Sequence, residues 1–399
     1  MSRFLFVVPP LVGHVNPTIG VAARLAEQGH QVAWAGHAEL VTRLAGPEAT
    51  VLPCALPHAD GAAVERPADL RGPAALKFLW ETFLIPLAEV MIPGVYAAVD
   101  EFKPDVLVVD QQAVAGAVVA QRTGIPWATS ATTAAELADP LGGMPKVAAW
   151  VREMLLQLEL RYGDPEAVRS DRYQSTYGDL RFSPHLVLAY SSAELSGCHD
   201  ELGETLRYVG PSIAVRPHDP GFPWHALPEE APLVLVTIGT ANTDAGGEFL
   251  NACANALADR PELFAIITDP AGVVTQPPDN VLTAPHVPQL ELMPWMSAVI
   301  CHAGQNTVCE ALYHRVPLVV APIRDDQPIV AQQATEAGAA IRIRFGRARA
   351  DHIGAALDTV LTQPQFRQAA ARIAESFRAA GGADAAARHL VHLAAHGQP

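Results

Sequence analysis

The stretch that decides the fold runs from His286 to Pro328, HVPQLELMPWMSAVICHAGQNTVCEALYHRVPLVVAPIRDDQP. An apolar run, Ala298–Cys301, meets a polar turn, His302-Ala303-Gly304-Gln305-Asn306-Thr307, that opens a helix ending at Val316-Pro317. A second apolar run, Leu318–Ala321, leads to the pair Asp326-Gln327. Strand, polar turn and helix in that order are how α/β proteins hold a phosphate. Backbone N–H groups at the helix start point at the anion, and the helix dipole favours negative charge there.

Outward from this block, the bulk properties set limits. A chain of 399 residues exceeds one ordinary core, so two domains are expected. Half of the residues are hydrophobic and 17% are charged, which suits a soluble α/β enzyme with mostly buried strands. A formal charge of −15 opposes nucleic acid and anionic membrane as partners. Cys54, Cys198, Cys253, Cys301 and Cys309 show no CxxC spacing and read as free thiols in a reducing compartment. The chain opens on the strand-like Phe4–Val8 with no charged leader, and no apolar run reads as long enough for a membrane span. A cytoplasmic protein is the expectation.

The first half alternates strands and helices: Phe4–Val8, helix Pro17–Gln28, Val32–Ala35, Asp105–Val109, helix Val114–Arg122 and Pro126–Thr129. Asn16 reads as the cap of the first helix, with Pro17 at its first position. This is the rhythm of a parallel, doubly wound sheet. Leu70–Phe102 and Met144–Tyr162 read as longer helices. Phe78, Trp80, Phe83, Leu84, Leu87 and Met91 make the first unusually rich in large apolar groups. About half of such residues belong to a core on general grounds; Phe78, Trp80, Phe83 and Met91 are the candidates for lining an apolar pocket. Arg216–Pro232, with five prolines, reads as a linker. Beyond it the rhythm restarts at Leu233–Ile238, Phe264–Thr268 and Val281–Thr283. The expected organisation is a domain over 1–215, a linker over 216–232, a second domain over 233–380, and a final helix in 381–399 folding back on the first.

A nucleotide sugar presents a base, a ribose, a pyrophosphate and a hexose, and the block offers a partner for each. His302, Gly304, Asn306 and Thr307 supply a ring nitrogen, a close-approach glycine, an amide and a hydroxyl in one turn. Glu310, one helical turn on, can accept from ribose hydroxyls. Asp326 and Gln327 follow a buried strand at the end where α/β ligands bind, Asp326 as acceptor and Gln327 as donor and acceptor. Thr240, in Thr237-Ile238-Gly239-Thr240, offers a second phosphate contact.

The block closely resembles the nucleotide-sugar signature of the family 1, GT-B type glycosyltransferases. That signature runs Trp-x-Pro-Gln, His-Cys-Gly-Trp-Asn-Ser, a Glu three residues later, then Asp/Glu-Gln. Gln289, His302, Gly304, Asn306, Thr307 (for Ser), Glu310, Asp326 and Gln327 match it, eight positions in all. His286 stands where a base-stacking Trp is usual, with Val287 beside it, and Gln305 where Trp is common. The resemblance implies a GT-B fold, two Rossmann-like domains facing across a cleft. It also implies inverting transfer of a hexose from a nucleoside-diphosphate sugar, with no metal or other cofactor required. Within the family the chain is most similar to bacterial enzymes that decorate lipophilic natural products such as macrolides, polyketides and flavonoids.

Removing the acceptor's proton needs a base. His14, in Gly13-His14-Val15-Asn16-Pro17 after the first strand, occupies the setting of the family's catalytic His. Asp110, ending the run Val106–Val109, matches its orienting Asp. Asp326-Gln327 suits a sugar with free hydroxyls, so UDP-glucose is the preferred donor, with a dTDP-deoxysugar as the alternative. Three other classes compete, one of them a GT-B sugar epimerase or phosphorylase, which shares the architecture but should lack the full donor block. A non-catalytic helper that activates a partner enzyme need not keep His14, Asp110 and the donor residues. A nicotinamide enzyme should carry GxGxxG, where this chain reads PPLVGHVNP. The expected partners are a nucleotide sugar and a lipophilic acceptor, with the chain as monomer or homodimer.

Overall fold

A computed structural model describes residues 1–57, 67, 70, 72–138, 141, 143–163, 179–197, 200–214, 221–239 and 246–397. Among these, strands form two sheets, every paired strand parallel. The first sheet holds β1 (Arg3–Val7), β2 (Gln31–Gly36), β3 (Val51–Pro53), β4 (Val106–Asp110), β5 (Trp127–Ala131), β6 (Leu186–Ala189) and β7 (Leu206–Tyr208), in the order β3-β2-β1-β4-β5-β6-β7. The second holds β8 (Leu233–Thr237), β9 (Phe264–Thr268), β10 (Val281–Ala284), β11 (Met296–Cys301), β12 (Leu318–Val320) and β13 (Ala340–Arg342), in the order β10-β9-β8-β11-β12-β13. Helices cover both faces of each sheet, which is why β1, β4, β8 and β11 are near-continuous apolar runs. The fold is the α/β GT-B arrangement. β3, β6, β7 and β13, each of three or four residues, escape the sequence reading.

Strand order reverses between β1 and β4 in one sheet and between β8 and β11 in the other. Val7 there lies beside Val109, and Cys301 beside Thr237. In open α/β sheets such reversals leave a crevice at the carboxyl ends of the strands. His14 follows β1 and Asp110 ends β4; His302 and Gly239 follow β11 and β8. The two sets of candidate residues therefore sit at equivalent points of the two sheets.

Three expectations need correction. The first helix spans Val12–Glu27, so His14 is in its first turn and not in a loop, and Pro17 lies inside the helix. Leu11, in extended backbone, precedes it and accepts from the N–H groups of His14 and Val15. A proline this close to the start costs one hydrogen bond while keeping helical φ. Second, Gly72–Phe102 is one continuous helix, long and apolar enough to cross a membrane by length and composition. Here it is part of the first core: Trp80, Leu84, Leu87 and Met91 form one buried stripe in the cluster under the first sheet, where the helix packs on β1, β2 and β3. Third, Trp80 and Met91, 4% and 1% exposed, are core and not pocket lining; Phe78 and Phe83 remain half-buried. The segment Phe78–Leu84 is π-helical, a widened turn often found at functional sites.

In the proline-rich connection, Phe222 and Trp224 rings meet at 4.9 Å and join the core under the second sheet, while residues 215–220 lie outside the described residues. The helices Pro364–Ala380 and Gly382–His396 close the chain. The latter buries Leu390 and Leu393 with Phe4, Phe6 and Leu188 of the first sheet. A fully buried leucine that joins the last helix to β1 should matter to the whole unit. Leu390→Ala is expected to lower unfolding free energy by about 2–5 kcal/mol, read from the urea midpoint; a loss under about 0.5 kcal/mol would mean the helix is not docked in solution.

Candidate active site

Asp110 ends β4 with its side chain fully buried. A buried carboxylate needs donors, and it has three. The Gln112 backbone N–H reaches Oδ1 at 2.9 Å, and the Thr132 hydroxyl donates to Oδ2 at 2.7 Å. His14 Nδ1 lies 2.9 and 3.0 Å from the two oxygens. Nδ1 therefore carries the proton, and Nε2 is left as a lone pair. Thr132 Oγ1 is also 2.8 Å from His14 Nδ1, closing a triangle. The imidazole pKa is raised above 6.5: burial alone would lower it, but the charge and hydrogen bond of Asp110 outweigh that, with Asp326 and Glu136 adding to them.

Thr132 was not singled out in the sequence. Its signal was nonetheless present, a run of small hydroxyl residues, Thr129, Ser130, Thr132 and Thr133, at the carboxyl end of β5. Ser130 pairs with Asp110 across β5 and β4, so the next turn returns to the carboxylate. Behind this turn stands a second unforeseen cluster. Arg181 is held by Asp179 and by Glu136 at 3.1 Å, with its guanidinium 5.7 Å over the Trp80 ring. Gln112 Nε2 lies 3.4 Å from Glu136, which links the cluster to the Asp110 loop.

On the second lobe, the turn after β11 is tight. Ala303 has φ 65°, a left-handed conformation that costs a residue other than glycine. It turns the His302 ring into a slot between two glycines. A Cβ on Gly239 would come within 2.6 Å of the ring, and one on Gly304 closer still. Gly304 is thus required for room as much as for backbone approach. Burial pushes the His302 pKa down to about 4, only partly offset by hydrogen bonding with the Thr237 backbone. The ring is neutral, so it meets a ligand only by donating or accepting a hydrogen bond. Positive potential at this turn comes from the start of helix Gln305–Tyr313.

Around that helix, Gln289 Nε2 donates to Glu310 at 2.6 Å and lies 3.4 Å from the Thr307 hydroxyl, which presents Gln289, Thr307 and Glu310 as one group. His286 is exposed and Val287 half-buried just before it. Gln327 departs from expectation. Its Oε1 accepts from the N–H groups of Ile323 and Arg324 at 2.9 and 3.1 Å, so this side chain fastens the turn after β12 and keeps only its amide N–H groups for a ligand. Asp326 accepts from the Thr133 hydroxyl at 2.7 Å, a bond between the lobes. Its pKa is raised by burial, with the Thr133 bond opposing. Asn306 donates to the Gly13 carbonyl at 2.8 Å, a second such bond. Thr240 lies outside the described residues. Among the described residues, no group of three or more His, Cys, Asp or Glu is placed to hold a metal.

The structure thus brings His14, Asp110, Asn306 and Asp326 to one cleft, with Phe78 and Phe83 on the long helix of the first lobe. What the arrangement can do is take a proton at His14 Nε2 beside a turn suited to an anion. If Asp110 sets the imidazole pKa, Asp110→Asn removes the charge that raises it. The His14 titration followed by NMR is expected to move to lower pH in that variant, by about one unit. An unchanged midpoint would show that other groups set it.

Comparisons with known proteins bear on the fold and the class of the chain. Residues 262–393 match the family described as erythromycin biosynthesis protein CIII-like, C-terminal domain. The chain is 27% identical over 406 residues to 4'-demethylrebeccamycin synthase of Lentzea aerocolonigenes, covering 95% of this chain and 96% of that one. It is 28% identical over 404 residues to demethyllactenocin mycarosyltransferase of Streptomyces fradiae, covering 97% and 85%. Among solved structures, the spinosyn rhamnosyltransferase SpnG complexed with thymidine diphosphate superposes with a TM-score of 0.75 at 21% identity, over 98% of this chain and 100% of that one. With two α/β lobes and the matched block within the second, the chain is a glycosyltransferase of the GT-B fold, similar to enzymes of natural-product biosynthesis.

Proposed function

We propose that the chain transfers a hexose from a nucleoside-diphosphate sugar to a hydroxyl of a lipophilic small molecule, with inversion at the anomeric carbon. The observation that carries this reading is the His14–Asp110–Thr132 triangle standing beside the donor block, to which the neighbouring Gly13 and Thr133 are hydrogen-bonded. His14 Nε2 takes the acceptor proton as the acceptor oxygen forms its bond to the anomeric carbon. The bond from that carbon to the diphosphate breaks with its electron pair, and the nucleoside diphosphate leaves. Asp110 stabilises the imidazolium that forms, as a carboxylate behind a base does. The start of helix Gln305–Tyr313, with Thr307 and neutral His302, receives the growing charge on the pyrophosphate. The Gln289–Glu310 pair meets the ribose, His286 and Val287 the base, and Asp326 with the Gln327 amide the sugar hydroxyls. Phe78 and Phe83 contribute an apolar wall for the acceptor. No metal or further cofactor enters this scheme. Cys54, Cys253, Cys301 and Cys309 are free and buried, in keeping with a reducing, cytoplasmic setting.

UDP-glucose is the proposed donor, because Asp326 and Gln327 offer an acceptor and donors to a fully hydroxylated hexose. A dTDP-deoxysugar is the second reading, favoured by the thymidine diphosphate bound to the spinosyn enzyme. Thermal melts with UDP, dTDP, GDP, UDP-glucose and dTDP-glucose separate the two. A ligand at 100 times its Kd should stabilise the native state by about 2.7 kcal/mol. Uridine compounds are expected to raise Tm most; a larger rise with thymidine compounds transfers the assignment to the dTDP reading. No rise with any nucleotide at millimolar concentration would remove the donor site altogether. His14→Ala is expected to abolish transfer while leaving nucleotide-dependent Tm shifts intact, and loss of both would displace His14 from the role of base.

A further inference from the structure

Asn306 belongs to the turn assigned above to the pyrophosphate, yet its amide N–H is directed elsewhere. Nδ2 lies 2.8 Å from the carbonyl oxygen of Gly13, on the opposite lobe and one residue before His14. The reason that oxygen is available is written in the chain. In helix Val12–Glu27 the Gly13 carbonyl would ordinarily accept from the N–H of residue 17, but residue 17 is proline and has none. Pro17 therefore leaves a main-chain acceptor facing the cleft in the same turn that carries the base. Asn306 is the second residue of helix Gln305–Tyr313, in the turn that would receive the leaving diphosphate. One hydrogen bond thus ties the end of the molecule that holds the donor to the end that removes the proton. The bond between Thr133 and Asp326 runs parallel to it, from the residue next to Thr132 to the acid assigned to the sugar.

We propose that Asn306 is a positioning residue for His14: by bonding the carbonyl that Pro17 leaves free, it sets the base helix against the donor turn when the lobes are together. The inference rests on the reading of His14 as base and of the second lobe as the donor site. It assigns Asn306 a task in the proton-removal step, where matching to a sequence signature places it on phosphate alone. A polar tie of this kind is worth roughly three- to tenfold in rate when lost.

Pro17→Ala and Asn306→Ala together test this, because Pro17 has no polar group to offer a phosphate. Alanine at 17 supplies the missing N–H, satisfies the Gly13 carbonyl within the helix and so weakens its bond to Asn306. Both single variants are expected to lower kcat roughly three- to tenfold with donor KM changed less than about twofold, and the double variant to be no slower than the worse single one. Thermal melts check that each variant is folded. If Asn306→Ala instead raises donor KM and weakens nucleotide binding while Pro17→Ala behaves as wild type, Asn306 is a phosphate ligand only and the proposal is overturned. Small-angle scattering with and without UDP or dTDP reads the tie apart from turnover. The wild type should compact on nucleotide more than either variant, and equal compaction in all three counts against the tie. A wild type that compacts selectively but transfers no sugar would sink the proposed function and leave the tie standing.

Discussion

A carboxylate taken wholly out of water must find its donors inside the protein, and in this molecule Asp110 draws the first lobe's chemistry around itself. It stands at the end of β4, beside β1, where the sheet reverses its order and a crevice opens. The Gln112 N–H, the Thr132 hydroxyl and His14 Nδ1 each come from a different segment to satisfy it. Satisfying the carboxylate fixes the imidazole tautomer, and the fixed tautomer leaves Nε2 as the lone pair a base requires. The need to solvate one charge thereby places the nitrogen proposed as the base.

The donor site proposed for the second lobe poses the opposite problem, how to receive an anion in an acidic chain. Its answer is geometric. The left-handed Ala303 and the bare faces of Gly239 and Gly304 let an uncharged imidazole lie flat at the start of a helix. The amide N–H groups and dipole of that helix supply the potential. Neutral His302 and high-pKa His14 show what surroundings do to one residue type. The first is buried among uncharged groups and pushed down to about 4; the second faces a carboxylate and is raised.

Much of this was legible in residue order. The apolar runs of β1, β4, β8 and β11 are continuous because both sheet faces are covered, and the candidate site residues lie at or soon after the carboxyl ends of such strands. His14, Asp110, His302 and Asp326 could therefore be singled out without coordinates. Thr132 could not, since a hydroxyl after a buried strand is common and only the pairing of Ser130 with Asp110 aims the following turn. Trp80 and Met91 were misjudged as pocket lining because an apolar stripe at helical spacing serves a core and a pocket alike. Gln327 looked like a sugar ligand on both ends, and only the turn it fastens shows that its oxygen is engaged.

By itself the sequence determined the alternation of elements, the two-lobe plan and the chemical types at the strand ends, because these depend on local periodicity and on short spacings. The tertiary structure alone decided the partners: which hydroxyl meets Asp110, which carbonyl meets Asn306, and which acid meets Thr133. Pro17 shows the boundary between the two. Its missing N–H is a property of the residue, readable in any chain. That the orphaned Gly13 oxygen finds an amide 293 positions later depends on two separately folded sheets being brought face to face, and no local rule of sequence carries that distance.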